Sequence, residues 1–283
     1  MTDRLEVRKT YKLYINGEFP RSESARSYPA LGNNGEVLAR VAKASRKDLR
    51  DAVRAARNAQ EKWAAKSGYN RGQILYRIAE MIEDRAATFT DQLGEGATSP
   101  AKARREVRDS VDRMVWYAGW ADKFAQVFGN LNPVAGPFFN ISAPEPTGVV
   151  GVVAPETPAL FGLVSRLAPV IVSGNTAVVV ASEEQPLPAI TFSEVLESSD
   201  VPPGVVNILT GSAAELAPWL ADHMDVNAID LSGASAEVGI RMQQGAVHNV
   251  KRLVGIEGYT DAQSPYLISA FTETKTVWHP KGL

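Results

Sequence analysis

The sequence predicts an α/β protein in which a doubly wound parallel sheet follows a block of helices. Three observations predict it. From Thr147 onward, short β-branched runs alternate with helical segments through short links, which is how a parallel sheet with helices on both faces reads. Residues 45–127 carry apolar residues at helical spacing. Between these parts lies GNLNPVAGPFFNISAPEPTG, residues 129–148, whose Gly, Pro and Asn content excludes a long helix.

The elements follow in order. Alternation in Lys12-Leu13-Tyr14-Ile15 leads into Asn16-Gly17, a turn pair that predicts a short hairpin. Ser45 is placed to cap a first helix, with Asp48 completing a capping box, and Leu49, Val53, Ala56, Gln60 and Trp63 follow the helical period. A second helix is expected over residues 70–89, through Ile74, Leu75, Ile78, Met81 and Ile82. A third is expected over residues 100–127, with Val107, Val111, Met114, Val115, Ala118 and Ala121 on its apolar face. Phe138-Phe139-Asn140-Ile141 reads either as a strand of a hairpin arm or as plain loop. Buried strands are then expected at 148–155, 175–182, 205–209, 228–231 and 252–256, with helices at 160–173, 187–197, 213–222 and 237–247 between them. Ligands of such sheets bind at the carboxyl ends of the strands.

Composition removes several function classes. Hydrophobic residues make up 45% of 283, enough for a sizeable core. With 30 basic and 32 acidic residues the formal net charge is −2, so no nucleic-acid surface is indicated. No apolar run reaches membrane-spanning length and the first residues lack a signal-peptide core, so a soluble, cytoplasmic protein is expected. Cysteine is absent, which excludes disulfides, thiolate metal sites and thiol nucleophiles in this chain. The three histidines, His223, His248 and His279, supply neither a metal site nor a Ser/His pair. Each reads as a surface or packing residue.

At this point the chain resembles the aldehyde dehydrogenase superfamily. The resemblance rests on the YINGEF hairpin, WYAGWADK (116–123), PTGVVGVVAP, RLAPVIVSGNTAVVV, VPPGVVNILTG and HMDVNAIDLSG, in the family's order and spacing. FTETKTVW (271–278) is similar to the family's last strand. The resemblance implies a Rossmann-like nucleotide-binding domain over 1–128 and 147–262, with an oligomerisation arm and C-terminal strand over 129–146 and 264–283. It also implies that the catalytic domain has been cut out. In the family that domain separates an E-L-G-G strand from the last strand, and here only residues 259–264 fill the gap. A short linker rejoins the ends of a compact domain when its entry and exit lie close together.

Family members attack aldehydes with a Cys thiolate, pass hydride to a nicotinamide and release the acid with water. The nucleophile belongs to the missing domain, so no catalytic residue is assigned here. Ungapped counting puts Thr157 at the family's oxyanion-donor Asn and Glu156 at the neighbouring Trp of P-W-N-F-P, after Pro155. Glu156 is expected on a surface that has lost its covering domain. Ile256 takes the position of the family's general base. Glu257 is one residue out of step, which on a strand reverses the face, so a strand-end surface carboxylate is the competing reading. The ribose-binding Lys of V-K-P-A-E has become Val180, while its Glu is retained as Glu183. Gly233, Ser235 and Gly239 resemble the family's pyrophosphate-binding helix start with one extra residue. Ser235 either caps that helix beside an anion or caps it and does nothing more. The implied cofactor site is therefore Pro155, Glu183, Gly233, Ser235 and Gly239, for weak NAD(P) binding.

What the resemblance retains is a nucleotide-binding fold and both pieces of an oligomerisation sheet. A chain with the arm and no catalytic domain can donate an arm without receiving one. The partner expected is a full-length aldehyde dehydrogenase paralogue, engaged through 129–146 and 264–283. The alternatives are NAD(P)-dependent aldehyde oxidation through a composite site and a stand-alone nucleotide-binding module.

Overall fold

The computed structural model describes residues 9–96, 99–255 and 263–282. Its centre is a five-stranded parallel sheet of β6 (Val149–Val153), β7 (Thr176–Val180), β8 (Val206–Leu209), β9 (Ala228–Asp230) and β10 (Arg252–Val254), in the order β10-β9-β6-β7-β8. The order reverses between β6 and β9, so the switch point of the doubly wound sheet lies there. The alternation of side chains decides the packing. Val150, Val152, Ala177, Val179, Val206 and Ile208 join a core with α2 (Gly68–Asp84), α3 (Ala86–Glu95), α4 (Pro100–Ala118), α6 (Ala159–Val172) and α7 (Leu187–Glu197). Val149, Val153, Val178, Val180, Leu209 and Ile229 face the other way, toward α1 (Arg46–Ala64), α8 (Ala213–Asp222) and α9 (Ala236–Ala246). With both faces covered, the strands read as unbroken apolar runs.

The N-terminal half departs from expectation at two helix boundaries. The helix expected over 70–89 is two helices, α2 and α3, broken at Arg85, whose φ of −101° and ψ of 17° leave the helical region. The break lets Phe89 and Leu93 reach the core and sets Arg85 Nη1 3.4 Å from Glu194. The helix expected over 100–127 stops at Ala118. Gly119 caps it, a turn follows, and a short α5 (Phe124–Phe128) resumes. That turn presses the Ala121 carbonyl against Gly68 of α2, where any Cβ would lie 2.3 Å from the oxygen. Helix α1 begins as expected: Ser45 accepts from the Asp48 N–H and Asp48 accepts from the Ser45 N–H.

Asn16 and Gly17 form the expected turn, both with positive φ, but the hairpin is minimal: Ile15 pairs with Glu18 while Tyr14 pairs with Ile208 beside the central sheet. A separate small sheet holds β1 (Thr10–Tyr11), β2 (Ser27–Leu31) and β3 (Val37–Ala42) in the order β1-β3-β2.

A third sheet realises the strand alternative for residues 138–141, and extends it. Strands β4 (Asn130–Asn132) and β5 (Phe138–Pro146) are antiparallel, and β11 (Thr272–Pro280) lies along β5 from Thr272↔Pro146 to Pro280↔Phe138. Just before β11 come the short helix α10 (Tyr266–Ser269) and Phe271. Leu267, Ile268 and Phe271 are buried in the main core, so the segment that precedes the last strand is part of that core.

Candidate functional site

The candidate crevice lies at the carboxyl ends of β6, β7 and β9, because strand order reverses there. After β6 the chain runs through Ala154, Pro155, Glu156, Thr157 and Pro158 into α6. Pro155 is wedged in place: a Cβ on Gly162 of α6 would lie 3.1 Å from its ring, and a Cβ on Gly233 would lie 2.3 Å from the Val153 carbonyl oxygen. Gly233 is therefore required for the loops after β6 and β9 to touch. The first amides of α6 are already engaged. Glu106, reaching up from α4, accepts from the N–H of Leu160 at 2.8 Å and of Phe161 at 3.2 Å. Burial raises its carboxyl above the ordinary range, and these two N–H groups oppose that rise.

Glu156 does not project from a bare surface, as the sequence suggests. Its carboxylate folds inward and accepts from Ser182 Oγ at 2.7 Å and from the Glu184 N–H at 3.0 Å. Glu183 stands beside it, half-buried, at the end of β7. Burial pushes the Tyr28 hydroxyl up, and the charges of Glu183 and Glu156 push it further. The rim at β6 and β7 thus carries the carboxylates Glu156, Glu183 and Glu184, which disfavour a phosphate group.

At β9 the picture differs. Ser235 caps α9 by accepting from the Val238 N–H at 3.3 Å, and Gly239 has open space where a Cβ would stand. A hollow of about 520 Å³ opens here, lined by Ser235, Gly239, Ile240, Gln243 and Leu253 among others. Of the five expected cofactor residues, Ser235 and Gly239 share this hollow. Pro155 and Gly233 form the loop contact, and Glu183 stands at the other end of the crevice. Ile256 and Glu257 lie outside the described residues. Thr157 is exposed, and Val180 is buried in the sheet.

Sequence reasoning missed a buried polar cluster beneath the crevice. Asp230, at the end of β9, is fully buried and accepts from the Ser232 N–H at 2.9 Å. Burial raises its carboxyl, and the Arg166 charge on α6 opposes this. Arg113 of α4 lies over the Phe161 ring at 4.8 Å. The Tyr117 hydroxyl is pushed up by burial, while Arg113 and Arg166 draw it down. The signal was legible: Arg166 interrupts the apolar run of α6, and a charge in such a run must be paired. Among the described residues no group of three or more His, Cys, Asp or Glu could hold a metal ion.

Comparison with known proteins decides the relationship. The aldehyde dehydrogenase family model matches residues 21–275. The chain belongs to the aldehyde dehydrogenase family. It is 33% identical to retinal dehydrogenase 2 of Gallus gallus over 275 residues, covering 95% of this chain and 52% of that protein. It is 34% identical to the cytosolic 10-formyltetrahydrofolate dehydrogenase of Pongo abelii over 275 residues, 93% of this chain and 30% of that one. Among solved structures, HpcC from Thermus thermophilus superposes with a TM-score of 0.82 at 29% identity, covering 87% of this chain and 47% of that chain. The NAD-dependent aldehyde dehydrogenase of Sinorhizobium meliloti gives 0.81 at 26% identity, covering 87% and 50%. The chain thus spans about half the length of these relatives, or less. That coverage fits a family member with the Rossmann-type fold and without the catalytic domain. No helix among the described residues is long and apolar enough to cross a membrane.

Proposed function

We propose that this chain is a non-catalytic aldehyde dehydrogenase subunit that assembles in the cytoplasm with a full-length paralogue as a structural or regulatory partner. One observation carries the reading. Strand β11 is paired with β5 along nine residues, its other edge is open among the described residues, and eight of its nine residues are exposed, in a chain that contains no cysteine. An open edge with Val277 and Trp278 on it is a template for strand addition and an aggregation hazard unless covered. Leu131, Phe138, Phe139 and Ile141 extend the apolar surface across the same sheet. Two copies of this chain lack the family's receiving domain, so a reciprocal exchange of arms is not available to them.

Co-expression with a full-length family member, followed by native mass spectrometry, tests this. A mixed oligomer is expected, and its loss on deleting residues 272–283 is expected with it. A chain that stays unassociated with the full-length members co-expressed with it overturns the proposal.

The open hollow at the start of α9 favours a second reading, in which the chain binds NAD(P), either as a module or as part of a composite aldehyde-oxidising site. Thermal-shift titration with NAD and NADP separates the two readings, because a ligand that binds the folded state alone raises the melting temperature.

A further inference from the structure

At the carboxyl end of β7 the chain turns through Ser182, Glu183, Glu184 and Gln185 toward α7. Three donors belong to this turn: the Ser182 hydroxyl and the N–H groups of Glu184 and Gln185. All three are engaged. Glu156, arriving from β6, places one carboxylate oxygen 2.7 Å from Ser182 Oγ and 3.0 Å from the Glu184 nitrogen. Ser182 Oγ in turn accepts from the Gln185 N–H at 2.9 Å. The Glu156 carbonyl also accepts from Ser182 Oγ, at 3.1 Å, so the side chain and backbone of one residue stitch the ends of two adjacent strands together across the crevice.

The position gives this stitch a consequence. In doubly wound sheets a mononucleotide lies outside the carboxyl ends of the strands, and an acid at the end of the second strand holds the ribose hydroxyls. Counted outward from β6, β7 is that second strand, and Glu183 stands at its end. Glu156 fills the donors immediately beside it. We infer that Glu156 is an internal occupant of the nucleotide-sugar corner and holds it against ribonucleotides. To enter, a ribose diol must take Ser182 and the Glu184 N–H away from a charged acceptor. That would leave the Glu156 carboxylate unpaired beside Glu183 and Glu184. A residue at 156 too short to reach these donors imposes neither penalty. The hollow at α9 is untouched by this contact, so the occupant closes one end of the crevice and leaves the other open.

The full chain is titrated calorimetrically with AMP and with NAD. Glu156→Ala and Glu156→Ser, both too short to reach the Glu184 N–H, are expected to bind each nucleotide about tenfold more tightly than the natural chain, or better. Glu156→Gln keeps the length and an acceptor oxygen and is expected to gain less than either. A gain below about tenfold in both short variants overturns the inference. So does a glutamine variant that gains as much as alanine, since charge repulsion alone would then account for the effect. The natural chain supplies a readout free of substitutions: the Glu184 amide is expected to exchange slowly with solvent, and fast exchange there removes the contact on which the inference stands. None of these outcomes depends on whether a partner subunit exists.

Discussion

Gly233 is the residue that lets the two loops of the crevice meet. A methyl group there would sit 2.3 Å from the Val153 carbonyl oxygen and 2.5 Å from the Pro155 nitrogen, both backbone atoms that cannot swing aside. Gly233→Ala is expected to destabilise the chain by about 2 kcal/mol or more, read from urea unfolding. Glu106 gives a prediction in pH. Its carboxyl is raised by burial in the folded chain, so the folded state binds that proton more tightly than the unfolded state. Its contribution is therefore most favourable below the ordinary carboxyl value of 4.5 and is lost as pH rises through the raised folded value. Glu106→Gln is expected to flatten stability against pH across that window, measured by denaturant titrations at successive pH values. A curve unchanged from the parent's would contradict the assignment. At this scale the sequence is partly legible. Ser45, Asp48 and Ser235 carry their capping roles in their spacing. Glu156 misleads, because its partners Ser182 and Glu184 come from another strand and no local pattern announces them.

Elements were most readable where both faces are covered. Val149–Val153 and Thr176–Val180 are buried throughout, and nothing competes with a strand in such a β-branched run. The break at Arg85 was not readable: no Gly or Pro marks it, and the burial of Phe89 and Leu93 that rewards it is tertiary. Helix α10 is short by any local criterion, yet it and Phe271 anchor the return of the chain to the core. Phe271→Ala is expected to cost about 3–5 kcal/mol, as is usual when a buried aromatic site is emptied, read from the unfolding midpoint. Ser235→Ala is expected to cost about 1 kcal/mol and to speed amide exchange in the first turn of α9 more than elsewhere.

For the whole molecule, the alternation of strands and helices disclosed the doubly wound sheet. It could not disclose which surfaces are left bare. Exposed apolar side chains gather in several places, two of them at sheets. One is the β11-β5-β4 sheet. The other is the edge of the central sheet, where Ile240, Val247, Leu253 and Val250, the last 90% exposed, stand on and around α9 and β10. Periodicity hid the second group because those residues read as ordinary apolar positions. Replacing Val277 and Trp278 by Lys is expected to reduce self-association of the isolated chain in sedimentation experiments while leaving its melting temperature within a few degrees. The same pair is expected to abolish the mixed oligomer, and retention of that oligomer would move the contact to another surface.

Asn175 shows what the sheet of β4, β5 and β11 is fastened to. Its buried amide accepts from the Gly148 N–H at 2.7 Å and donates to the Phe271 carbonyl at 2.8 Å and to Ser173 Oγ at 2.7 Å, joining the roots of β5 and β11 to the start of β7. A lever with such a fulcrum does not swing freely. Whatever grips its far end also grips the central sheet, so torque applied by a neighbour is delivered to the amino ends of β6 and β7 instead of being lost in a slack joint.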